Sequence, residues 1–308
     1  MGGMLNSSLL TDFRLTCLER NLGVHGVHVY QEGQGEVAHR SWADDRVELF
    51  SASKTFTSVA IGMCVDEGRL SLTDLVLDYF PEYVGIATPG SEAIRVVDLL
   101  QMRSGKDYEF FQEEDQDLVY SMDLAEQFFR GDQVTPAGTH FYYANACTYM
   151  LGRLVAKTSG QELREYLVPR LFSPLGILNP WWNTCPQGHA LGCAGLQLSL
   201  TEFAKLGQLL LQDGTWDDKE LVSASYVEAL HTDVVPPERH FGGGEWNVGY
   251  GYQVWQNVRP GSYRVDGMYG QFSIVLPDLK AVVTTLAHNE DNTGAILNAV
   301  SSDIVDKL

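Results

Sequence analysis

Ser51-Ala52-Ser53-Lys54-Thr55-Phe56 decides the reading of this chain, because it sets a hydroxyl and an amine three residues apart at the head of an apolar, periodic run. Residues i and i+3 are neighbours on an α-helix, so the Ser51 hydroxyl and the Lys54 amine are expected within hydrogen-bond reach. Phe56, Val59, Ala60, Met63 and Cys64 keep helical spacing up to Gly68, which supplies a C-terminal stop. Ser51 would open that helix, where the macrodipole favours a developing negative charge. Such a geometry suits acyl transfer. The spacing alone carries little weight, since 19 Ser and 7 Lys in 308 residues give about 0.4 such pairs by chance.

A second segment adds to it. Pro136-Ala137-Gly138 is a turn signal leading through Phe141 and Tyr142 to Tyr143-Ala144-Asn145 at a helix start. Structurally, Tyr143 reads as a core aromatic and Asn145 as a cap. Chemically, the phenol would shuttle protons and the amide would hold the lysine.

Composition bounds the function classes. At 308 residues and 44% hydrophobic, the chain can bury a large core as one broad domain or two closely packed lobes. The net charge of −19 argues against nucleic acid and anionic membranes as partners. No run of about 18 apolar residues exists to span a bilayer. The first 20 residues lack the basic start and apolar core of a leader, so the reading is cytoplasmic. Cys17, Cys64, Cys147, Cys185 and Cys193 form no C-x-x-C pair and read as reduced thiols. The eight histidines show no metal-ligand spacing, and no cofactor or metal is expected.

Residues 24–30 read as a strand and residues 31–35 as a turn into a second strand. Between residues 51 and 214 the pattern is mainly helical, with helices over 96–102, 143–158, 162–172 and 200–212. Strand signals return at 249–256, 262–265, 272–276 and 281–287, and a last helix over 294–307. Residues 242–244 read as a flexible glycine loop. The fold class is therefore α/β of the α+β type: an antiparallel sheet formed by both chain ends, flanked by helices, with a mainly helical inserted lobe. The division expected is 1–50 and 190–308 for the sheet-containing lobe and 51–189 for the helical one, together one catalytic unit.

Ser51-Ala52-Ser53-Lys54-Thr55, Leu99-Leu100-Gln101-Met102-Arg103-Ser104-Gly105, Phe141-Tyr142-Tyr143-Ala144-Asn145, Pro174-Leu175-Gly176 and Gly192-Cys193-Ala194-Gly195-Leu196 together resemble the serine β-lactamase and penicillin-binding-protein superfamily. Within it the chain is most similar to the class C β-lactamase branch, with its D-aminopeptidases, family VIII carboxylesterases and nylon-oligomer hydrolases. The resemblance covers roughly residues 22–285. It implies that Ser51 is the acylated nucleophile, that Lys54 and Tyr143 move the protons, and that Asn145 orients the lysine or the substrate's acyl amide. It also implies an oxyanion hole from the backbone N–H groups of Ser51 and Met268, a contribution of a few kcal/mol per donor. For an amine to act as base near neutral pH, its surroundings must disfavour the ammonium by ~4 kcal/mol. Which of Lys54 and Tyr143 takes the Ser51 proton stays open.

The third family element, Lys-Thr-Gly or His-x-Gly, departs from the pattern: Val265-Asp266-Gly267 stands there. Gly267 keeps the room an edge strand needs beside an acyl group. Val265 offers no cation for a β-lactam or peptide carboxylate, and Asp266 would repel one. Arg264 cannot replace the lysine, because neighbouring strand residues point to opposite faces. The expected activity is therefore hydrolysis of a neutral ester or amide, or of a small peptide or amine-bearing substrate held by Asp266. The alternatives are β-lactamase or D-Ala-D-Ala peptidase activity, or a non-catalytic ligand-binding relative. Trp181, Trp182, Tyr269, Gln271 and Arg103 are candidate pocket residues, with packing or solvation the ordinary role of each. Loops around residues 106–120, 180–190 and 232–248 are expected to shape the pocket. The partner implied is a small-molecule or short-peptide substrate; the oligomeric state is not legible.

Overall fold

A computed structural model describes residues 5–106, 123–237 and 244–308. Residues 242–243 of the expected glycine loop and residues 107–120 of the 106–120 loop fall outside these residues.

The two chain ends build one antiparallel sheet. Its strands are β1 (Val24–Gln31), β2 (Gly35–Arg40), β8 (Trp255–Gln256), β9 (Tyr263–Gly267), β10 (Gln271–Leu276) and β11 (Ala281–Ala287), in the order β2-β1-β11-β10-β9-β8. β1 lies beside β11 with Val27 opposite Thr285, so the first and last strands pair directly. Period-2 alternation gives the sheet two apolar faces. Phe272, Ile274 and Leu276 of β10 enter a core shared with the Thr11–Glu19 and Gly294–Asp303 helices, while Val275 faces the main core. The Leu200–Leu211 helix packs against that second face, starting at a capping box in which Ser199 and Glu202 satisfy each other's backbone N–H. Its Gly207 meets the sheet so closely that a Cβ there would lie 2.3 Å from Ser273 Oγ.

The Ser53–Asp66 helix runs through the middle of the molecule, buried from Ser53 to Cys64. Its hydroxyls find internal partners, as buried polar groups must: Thr55 donates to Gln253 O at 2.7 Å and Thr57 to Gly192 O at 2.9 Å. The Asn145–Ser159 helix is among the elements packed around it and ends at Gly160, whose φ of 72° is the left-handed conformation that glycine adopts without strain. A small sheet of β3 (Val47–Glu48), β4 (Trp181–Trp182) and β5 (Leu196–Leu198), in the order β3-β5-β4, fixes the chain just before Ser51. β6 (Thr215–Trp216) and β7 (Lys219–Glu220) form a separate hairpin.

Two elements differ from their sequence reading. Of residues 249–256 only β8 is strand. Gln253 adopts φ 65°, and Gly251 N bonds back to Val254 O at 2.9 Å, so the segment turns on itself. The buried Tyr250 and Tyr252 thus lie in this turn and not on alternate faces of a strand. The expected 162–172 helix is α-helical over Leu163–Leu167 and widens into a π turn over Val168–Phe172. Pro169, which has no N–H to donate, sits in that turn.

Candidate active site

Ser51 lies in a tight 3-10 turn, Phe50–Ala52, that runs directly into the Ser53–Asp66 helix. It therefore precedes the first α-helical turn instead of opening it. Phe50 holds φ 49°, a left-handed backbone that is costly for a non-glycine residue. Leu49 N, bonded to Leu196 O at 2.9 Å, anchors the turn from upstream.

Lys54 points back from the helix and is 1% exposed. Its ammonium donates to Ser51 Oγ at 3.0 Å, to Asn145 Oδ1 at 2.5 Å and to Cys193 O at 3.0 Å. Three acceptors match the three donors of an ammonium. Asn145 can serve because Ala144 occupies the cap position of its helix, leaving the amide side chain to reach across. Tyr143, two residues upstream, places its ring centre 5.0 Å from Lys54 Nζ. That ring is wedged by aromatics, stacked on Trp255 at 5.8 Å and edge-on to Tyr250 at 5.9 Å. The Cys193 carbonyl was not singled out from sequence, although the Gly192-Cys193-Ala194-Gly195 segment was. Its glycines take φ 70° and 85°, which shape the loop that delivers this carbonyl.

The end of β9 closes the other side of the site. A Cβ on Gly267 would lie 2.3 Å from Leu49 O and 3.1 Å from Ala52 N, so a glycine is needed for the strand to touch the Ser51 turn. Met268 follows it, 56% exposed, at the cavity. Val265 is fully buried in the core. Alternation puts Arg264 and Asp266 on one face, and there they pair: Arg264 Nε donates to Asp266 Oδ2 at 2.8 Å. Trp246 Nε1 donates to the same oxygen at 2.9 Å. Burial pushes the Asp266 carboxyl above the usual carboxylate range, against the opposing pull of Arg264 and Trp246. The expectation that Asp266 offers an uncompensated charge to a substrate ammonium is corrected accordingly, because its counter-ion is internal.

A cavity of about 600 Å³ opens in front of Ser51. Tyr143, Trp246, Trp255, Asp266, Gly267, Met268 and Tyr269 line it, together with residues 289–294. No lysine or arginine is among the described residues that line it. Glu290 and Asp291 stand exposed at its rim. Trp246 comes from the 232–248 loop expected to shape the pocket, though the residue itself was not singled out, and no residue of the 180–190 loop is among the lining residues. Sequence reading missed the 289–294 segment, which carries no motif. Of the two tryptophans it proposed, Trp181 is exposed and Trp182 is buried with Nε1 donating to Ala194 O at 2.9 Å, and neither lines this cavity. Gln271 is buried and ties β10 to Ala287 O at 2.6 Å. Arg103 is half-buried against Gln101 and is not simply solvated.

The family model described as Beta-lactamase matches residues 20–301. The chain belongs to the beta-lactamase family. Among curated relatives, this beta-lactamase-family chain is 25% identical over 202 residues to a 6-aminohexanoate-dimer hydrolase of Paenarthrobacter ureafaciens, covering 61% of this chain and 51% of that protein. It is 28% identical over 139 residues to a beta-lactamase of Escherichia coli (strain K12), covering 45% of this chain and 35% of that one. The chain thus spans about half or less of the length of these relatives. The solved structure of a penicillin-binding-protein homologue from Caulobacter crescentus superposes with a TM-score of 0.74 at 16% identity, covering 98% of this chain and 99% of that one. The antiparallel sheet flanked by helices, with its helical insert, is the beta-lactamase and penicillin-binding-protein architecture, and the family is one of serine hydrolases. No helix among the described residues is long and apolar enough to cross a membrane.

Proposed function

We propose that this protein is a serine hydrolase that cleaves an ester or amide through an acyl-enzyme on Ser51. The observation that carries this reading is the hydrogen-bonded set Ser51–Lys54–Asn145 beside Tyr143 at the mouth of a cavity. With Lys54 as a neutral amine, Asn145 Oδ1 and Cys193 O accept its two N–H groups and its lone pair faces the Ser51 hydroxyl. Ser51 Oγ then attacks the carbonyl as its proton leaves to Lys54 or Tyr143, and the backbone N–H groups of Ser51 and Met268 stabilise the oxyanion. The same pair protonates the leaving group and then draws a proton from the water that releases the acyl group.

Substrate charge follows from the cavity walls. Val265 in place of the family's cation, and the lack of any described basic lining residue, disfavour a carboxylate-bearing β-lactam or D-Ala-D-Ala peptide. Neutral substrates suit the aromatic walls. An amine-bearing substrate finds its carboxylates at the rim, in Glu290 and Asp291, and no longer in Asp266.

A fluorophosphonate probe and p-nitrophenyl acetate test the reading. Stoichiometric labelling and turnover are expected in the wild type, and Ser51→Ala should abolish labelling and cut kcat/KM by at least about 10³-fold. No labelling and no turnover in the wild type would favour a ligand-binding relative. Efficient turnover of benzylpenicillin would overturn the inference from Val265.

A further inference from the structure

We infer that the Arg264–Asp266 pair is a positioning device for Trp246, and that Trp246 sets which acyl or leaving groups fit before Ser51. This rests on the serine hydrolase reading. Trp246 lies outside the sheet, at the end of the short turn Gly244–Trp246. A half-buried indole on a turn keeps its rotamer only if something holds it. Asp266 Oδ2 accepts its Nε1–H at 2.9 Å, and the Arg264 guanidinium carbon lies 5.0 Å from the ring centre, in cation–π range. The far edge of the ring abuts the start of the last helix, where a Cβ on Gly294 would lie 3.5 Å from Cζ3.

Arg264 is fully buried and cannot itself meet a substrate. Its Nη1 donates to Asn257 Oδ1 at 2.8 Å, to Gln256 O at 3.2 Å and to Glu245 O at 3.3 Å, so the Trp246 turn is tied to the same cation. A buried ion pair is a weak source of net stability, because desolvation offsets its attraction. Here the side-chain hydrogen bonds of the pair lead to the indole, to its neighbour Glu245, or to Gln256 and Asn257 beside it. β9 thus carries, on the face opposite Val265, an internal pair that holds an aromatic wall.

The test is the ratio of kcat/KM for p-nitrophenyl hexanoate to that for p-nitrophenyl acetate. Trp246→Ala should shift this ratio by at least tenfold toward the longer ester. Asp266→Asn should shift it several-fold in the same direction, and should add nothing in a Trp246→Ala background. A ratio within twofold of wild type in a folded Trp246→Ala variant overturns the inference, as does an equal Asp266→Asn shift with and without Trp246. Should Asp266→Asn fail to fold, Trp246→Ala and Trp246→Phe still decide, the latter keeping an aromatic ring but losing the indole N–H. A Ser51→Ala control separates the two readings. If ester turnover survives it, or the wild type turns over neither ester, the hydrolase reading falls. If Ser51→Ala abolishes turnover and the ratio stays put, only the Trp246 inference falls.

Discussion

Gly267 shows how small a volume separates the edge strand from the Ser51 turn. The β-carbon of alanine would sit 2.3 Å from a backbone oxygen, which cannot swing aside as a side chain can. Gly267→Ala must therefore move β9 or the Ser51 turn, and a misplacement of about 1 Å at a reacting group costs about 10²-fold in rate. We expect kcat/KM for p-nitrophenyl acetate to fall at least tenfold; wild-type turnover in a folded variant would contradict the close approach. Phe50 and Tyr269, at φ 49° and 66°, flank Ser51 and Met268, and their rings meet edge to face at 5.0 Å. Neither backbone state is legible in a residue's identity, since aromatic side chains avoid left-handed φ. The Ser51–Lys54 contact was legible, because a three-residue spacing brings side chains together in the 3-10 turn that holds Ser51 as it does in an α-helix. The contact of Lys54 with Cys193 O spans 139 positions and was not.

At the scale of elements, local signals located most helices and strands, and tertiary contacts set their ends. Ser199-Leu200-Thr201-Glu202 is a capping box written in four residues, and it starts the Leu200–Leu211 helix. Ser199→Ala should cost about 1 kcal/mol, read from the urea midpoint at unchanged m-value. No loss would mean that the Arg46–Glu202 pair at 2.5 Å holds the helix start unaided. The 249–256 segment misled because its aromatic residues have strand propensity, while its conformation answers to the Ala224–Thr232 helix. A Cβ on Gly251 would lie 2.1 Å from Leu230 O, and Tyr252 N bonds to that same oxygen at 2.9 Å. Propensity yields when a neighbour supplies the hydrogen bonds.

For the molecule as a whole, the buried Lys106 couples stability to pH. Its ammonium donates to Thr88 Oγ1 at 3.0 Å and Gly131 O at 2.8 Å and faces the Phe128 ring. Burial pushes it down from 10.5 to about 8, with Asp132 and Cys147 opposing. Between those values the unfolded chain binds the extra proton, so unfolding free energy rises with pH across this window. Below pH 8 both states are charged and the penalty is constant; above 10.5 it is gone. Wild type should therefore gain stability relative to Lys106→Met from pH 8 to 10.5, measured as urea midpoints. Parallel profiles would show that Lys106 is well solvated.

The sequence by itself determined the relations that local periodicity encodes. These are the Ser51–Lys54 adjacency and the sheet drawn from both chain ends. Only the tertiary structure decided that Asp266 is neutralised from within, that Trp246 and Trp255 wall the cavity while Trp181 and Trp182 do not, and that a cysteine carbonyl completes the lysine's shell. The physical reason is range. Helical and strand periods fix which side chains share a face, whereas the partner that meets that face comes from a distant segment, chosen by packing that no single window of sequence contains.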